Sequence, residues 1–185
     1  MLTLILVTKF IIIRCMYIRE ALIQEHSKAQ ILKIVDYIGY DEDRVKELME
    51  IFFGDDTRLV QRSAWAITHL STRRPNLLRP YLPQMVKNLE NPKHDAVLRN
   101  TLRYFDMITL PEDLMGEVAD KCFHYLNSPE YPIAIRVFAM GTLYNISLKF
   151  PELQHELILV IKEHLPFGSA GFKSRAKRIL NKIDK

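Results

Sequence analysis

The sequence predicts an all-α fold, an α-α superhelix built as a solenoid of about four helical hairpins plus a leading helix. Three observations predict it. Arg62, Arg99, Arg136 and Arg175 each stand near the start of a segment, and they follow one another at 37, 37 and 39 residues. Self-similarity at such a period marks a stacked helical array. The segments carry apolar residues at helical spacing and stop beside a proline, at Pro75, Pro111 and Pro151. Beyond the first fifteen residues no segment alternates with a period of two, so no sheet is predicted.

The elements follow in order. Residues 1–15 form an apolar N-terminal extension, too short for a membrane span and interrupted by Lys9. They are expected outside the fold, with Met16 as the natural start. An unusual membrane anchor and an added packed element are the alternatives. Residues 16–185 are expected as a single repeat domain. Helices are predicted over 17–25, 28–38 and 42–53. Ser27 and Asp41 cap the second and third, and Gly39 ends the second. Three pairs follow: 57–72 with 76–90, 95–108 with 112–127, and 132–149 with 152–165. Pro80 and Pro83 are confined to the first turns of 76–90, where a missing amide costs least. The last helix covers 172–183. Each pair has an apolar stripe that only stacking can bury. The stripes are Val60, Ala64, Ile67 and Leu70; then Val97, Thr101, Tyr104, Phe105 and Ile108; then Ala134, Phe138, Gly141 and Asn145. Gly141 is small enough to permit close helix approach.

With 185 residues, 48% of them hydrophobic and 26% charged, the chain has the composition of a soluble globular protein with a real core. The formal charge of +4 gives only weak support to a polyanionic partner. Cys15 and Cys122 match no metal or redox spacing, and free thiols favour a reducing compartment, so a cytoplasmic protein is expected.

Certain residues resemble the HEAT-repeat family of α-solenoids, of HEAT/armadillo type. They are the Val-x-Arg of Val60–Arg62 and Val97–Arg99, the Pro-x-Leu stops of Pro75–Leu77 and Pro151–Leu153, and the helix beginning at Leu82. The likeness covers residues 28–183, and the whole is also similar to short bacterial HEAT-like proteins. The resemblance implies an acid six positions before each arginine, bonding it across repeats. Asp56 stands so before Arg62 and Glu130 before Arg136, and both are expected as structural ties. Lys93 and Ser169 occupy that position before Arg99 and Arg175. The resemblance further implies that the second helix of each pair lines a concave face where partners bind.

No chemistry announces itself. The histidines at 26, 69, 94, 124, 155 and 164 are scattered, and His155–Glu156 lacks a second His at metalloprotease spacing. No phosphate-binding glycine loop or nucleophile motif occurs. Catalytic residues, metal and cofactors are therefore all expected to be none. The candidate binding residues of the concave face are Arg62, Trp65, Arg99, Arg103, Arg136 and Arg175. For the arginines, the competing role is to hold neighbouring repeats in register. Trp65 is either a half-exposed anchor or buried against the preceding helix. Charge is also uneven. Residues 41–56 hold seven acids against Arg44 and Lys46, whereas 172–185 hold six bases against Asp184.

The function expected is a non-catalytic scaffold for a protein or peptide partner, monomeric and without membrane. The alternative is nucleic-acid binding, related to the HEAT-like DNA alkylation-repair glycosylases, with Trp65 and Asp106 as the residues to cast.

Overall fold

The computed structural model describes residues 17–183, so the apolar extension 1–15 and its assignment lie outside the described residues. All regular structure among the described residues is helical: ten α-helices and one 3-10 segment. They gather into two compact units that meet in the chain between Leu78 and Arg79.

The first unit holds α1 (Ile18–Gln24), α2 (Lys28–Ile38), α3 (Glu42–Phe52) and α4 (Thr57–Arg73). The three longer helices begin with a side-chain cap. Ser27 accepts from the Gln30 amide, Asp41 from Arg44, and Asp56 from both Arg58 and Leu59, which satisfies donors that a helix start leaves orphaned. Gly39 closes α2 at φ 55°, a left-handed value that favours glycine. The four helices pack on one another. Their core includes Ile18, Leu22, Ile34, Leu48, Phe52 and Ile67, all at most 1% exposed.

The predicted helix over 76–90 is corrected. Pro75–Tyr81 winds as a 3-10 turn and only Leu82–Lys87 (α5) is α-helical. Pro80 lacks an amide and its ring crowds the preceding turn, so a continuous α-helix cannot pass through it. Pro83 falls in the first turn of α5, where a proline is tolerated.

The second unit continues with α6 (Asp95–Phe105), α7 (Glu112–Asn127), α8 (Ile133–Ser147), α9 (Leu153–His164) and α10 (Ala170–Ile183). It is built in two layers. The first helices of the pairs, α6 and α8, and the last helix, α10, adjoin in one layer; the second helices, α5, α7 and α9, adjoin in the other. Helix α8 touches α6, α7, α9 and α10. It therefore buries most of its circumference, including Ile135, Ala139, Met140, Leu143 and Ile146. That overturns the predicted stripe on this helix, because Ala134, Phe138 and Asn145 are only half-buried and form its outer side. A helix apolar nearly all round offers no single face for periodicity to find.

Candidate functional site

The repeat arginines play three different parts. Arg62 and Arg136 are 8% and 5% exposed. The Arg62 guanidinium donates to the carbonyls of Leu22 and Ile23, at the end of α1. Arg136 donates from Nε and Nη2 to the Leu126 carbonyl, at the end of α7, both at 3.1 Å. Helix C-termini leave carbonyls without intrahelical donors, and these side chains complete them. The ties expected from Asp56 and Glu130 thus run by another route. Asp56 caps α4, and Glu130 acts on Arg136 only as a nearby charge, opposing the burial that lowers that arginine's pKa. Buried in this way, Arg62 and Arg136 offer no surface to a partner.

The same device recurs at the repeat spacing. Arg74 donates to the Val35 carbonyl, Tyr125 to Leu89, Thr142 to Leu102 and Asn145 to Asp106. With the bonds of Arg62, these link residues 36 to 40 apart. Donors from one repeat finish the helix ends of the repeat before it.

Arg99 and Arg103 are exposed on α6 and make no ion pair among the described residues. Arg175 is neither buried tie nor open cation. It pairs with Asp106, a residue 69 positions away at the end of α6. The Asp106 and Arg175 side chains are 14% and 22% exposed. Their pair lies across Gly141 of α8, where any Cβ would collide with Asp106 Oδ1 and Arg175 Nη2. Burial pushes the Asp106 carboxyl above its usual range, further than Arg175 and Arg178 pull it back. Sequence reasoning assigns Asp106 no tie, since the one signal is Gly141, which reads there as room for a neighbouring helix.

Trp65 is half-buried in the first unit. Its ring meets His26 edge-on at 5.3 Å and His69 at 6.4 Å. Trp65 belongs to the first unit and Asp106 to the second. Also in the first unit, the acids Glu20, Glu47, Glu50, Asp55 and Asp56 line a cleft of about 530 Å³.

A second cleft, of about 330 Å³, opens where α6 and α8 end. Its lining is mixed, with Asp106, Thr142 and Asn145 polar and Ile108, Leu110, Met115 and Ile146 apolar. Met107 and Leu148 stand on it 48% and 60% exposed. Exposed apolar side chains gathered at a concave site are an unusual expense of surface. Arg99 and Arg103 stand on α6, the first helix of its pair, and Arg175 on the last helix, α10, rather than on the second helices to which the family resemblance assigns the binding face.

Among the described residues no helix is long and apolar enough to cross a membrane, and no cluster of three metal-ligating side chains occurs. Cys122 is fully buried, and burial together with the Asp106 charge pushes its thiol up, away from the nucleophilic thiolate.

Searches of curated proteins and of solved structures gave no match. A family model described as "HEAT repeat domain" matches residues 18–183, the span over which the paired helices and their period-spaced ties run. The chain belongs to the HEAT repeat family, and its architecture is that of a helical-repeat scaffold.

Proposed function

We propose that the protein is a non-catalytic scaffold that presents a helical-repeat surface to a protein or peptide partner, and that it works in the cytoplasm. The observation that carries this reading is the cleft at the ends of α6 and α8, with Met107 and Leu148 exposed on it. A pocket of this size takes one or two apolar side chains, and such anchors supply most of the affinity at peptide interfaces. The free thiol of Cys122 supports a reducing compartment.

Selection from a displayed peptide library tests the scaffold reading. Peptides that bind saturably are expected, and Met107→Glu or Leu148→Glu should abolish their binding at unchanged melting temperature. Binding indifferent to both changes, or no saturable binder at all, overturns the reading. Nucleic-acid binding, the second reading, draws on the exposed Arg99 and Arg103.

A further inference from the structure

An aromatic cluster sits where α7 runs into its following loop. On α7, Asp120 and His124 stand four residues apart, as do Lys121 and Tyr125, so the four share one side of the helix. Tyr131, from the loop before α8, completes the set. The Tyr125 and Tyr131 rings meet at 5.0 Å and 79°, His124 and Tyr131 at 5.7 Å and 76°, and His124 and Tyr125 at 5.6 Å and 62°. All three line one cleft of about 380 Å³, Tyr125 buried, Tyr131 half-buried and His124 exposed. Planes so steep to one another cannot all turn their edges to a group that enters, and the face of an aromatic ring is its negative side. Among the described residues, no arginine or lysine stands over any of these rings.

Charge and hydrogen bonding narrow what can enter. The charged lining residues are Glu90, Asp120 and Lys121. Lys121 Nζ is held between Glu90 and Glu117, at 3.1 Å and 3.4 Å. Asp120 is exposed and makes no ion pair among the described residues. Just outside the lining, Lys93 follows Pro92 and Glu130 precedes Tyr131, one charge of each sign. The surplus is negative, which suits a cation. Most of the polar atoms are already engaged. Tyr125 donates to the Leu89 carbonyl at 2.6 Å, Tyr131 Oη and His124 Nε2 share a hydrogen bond of 3.4 Å, and Glu90 holds Lys121. Burial, then the nearby Tyr131, Cys122 and Glu90, push the Tyr125 phenol up, so it keeps the proton it gives Leu89. A primary ammonium would bring three N–H donors to a place where few acceptors remain to replace water. A trimethylammonium brings the charge and no donor.

We infer that this cleft binds a trimethylammonium group, with the three rings against its methyls and Asp120 as its counter-charge. It shares no lining residue with the cleft at Met107, so the two sites can be tested apart.

The full chain is titrated with four probes, followed by the NMR signals of the aromatic rings. They are a short peptide carrying trimethyllysine, the same peptide with plain lysine, the same peptide with the neutral tert-butyl isostere, and free choline. The trimethylated peptide should bind saturably and about tenfold more tightly than the other two peptides. Tyr131→Ala and His124→Ala, each at unchanged melting temperature, should abolish that preference. Tyr131→Phe should keep it, Asp120→Asn should weaken binding severalfold, and Met107→Glu should leave it alone. Choline that matches the trimethylated peptide would identify the ligand as a small free cation, and choline that binds far more weakly would identify it as a modified lysine of a protein. Equal binding of the tert-butyl peptide would make the cleft a plain apolar slot and overturn the assignment. So would a preference that survives Tyr131→Ala, or no saturable binding by either trimethylated probe. If a variant fails to fold, the parent decides: ligand-induced shifts must fall on the His124 and Tyr131 ring signals, and shifts elsewhere alone would refute the site.

Discussion

Replacing Gly141 by alanine tests the packing at the centre of the second unit, because open space and crowded space give opposite signs. In an open helix the change would stabilise by about 1 kcal/mol, since glycine is that much the poorer helix residue. At Gly141 the new methyl would collide with Asp106 Oδ1 and Arg175 Nη2, so the pair has to part. Overpacking of this kind costs about 1–3 kcal/mol. Parting also breaks a charged hydrogen bond between side chains only 14% and 22% exposed, which adds about 1.5–3 kcal/mol. Set against the propensity gain, the net loss is about 1.5–5 kcal/mol. The assay is equilibrium unfolding in urea, on the parent and in an Asp106→Ala background. With the carboxylate gone, Arg175 can swing aside, and Gly141→Ala should become neutral or stabilising. A stabilising Gly141→Ala in the parent would refute the reasoning, and so would an equal loss in both backgrounds.

The other predictions concern charge and capping. Because burial raises the folded-state pKa of Asp106 above 3.8, its contribution to stability is full below 3.8 and is lost as pH rises through the folded value. The stability of the parent relative to Asp106→Asn should therefore fall with rising pH across that window, and urea midpoints showing the opposite slope would overturn the assignment. Arg136→Gln should cost about 1.5–3 kcal/mol by abandoning the Leu126 carbonyl, whereas Arg99→Gln and Arg103→Gln should stay within about 0.5 kcal/mol. Similar losses at all three would mean that the exposed arginines are ties as well. Tyr104 is pushed up to about 12 by burial, against the lowering effect of Arg79. Its contribution is full below 10 and is lost between 10 and about 12, so phenolate absorbance at Tyr104, isolated by Tyr104→Phe, should appear only with unfolding.

Where a segment has one buried face and its own stop signals, the sequence predicts its bounds well. Residues 28–38 and 112–127 are helical as expected, between Ser27 and Gly39 and after Pro111. Reading fails where neighbours override the local pattern. Pro80 converts the first part of a predicted helix into a 3-10 turn. Helix α8, enclosed by four others, has no face that its composition reveals. The site is less legible still. Arg175 lacks an acid six residues before it, and its partner lies 69 residues back, where no local rule directs attention. The buried arginines were placed by their spacing, but their acceptors are backbone carbonyls, and every residue type carries one of those.

The period-spaced bonds have a consequence for how such a chain can change in length. Thr142 and Asn145 complete the end of α6, and Tyr125 completes Leu89 in the pair before. A duplicated pair of helices would arrive with donors for the copy upstream and carbonyls for the copy downstream, so a whole repeat can be gained or lost with every junction still matched. Half a repeat would present donors to helix sides and leave helix ends bare. Tolerated insertions and deletions within the paired region should therefore come in steps of the arginine spacing.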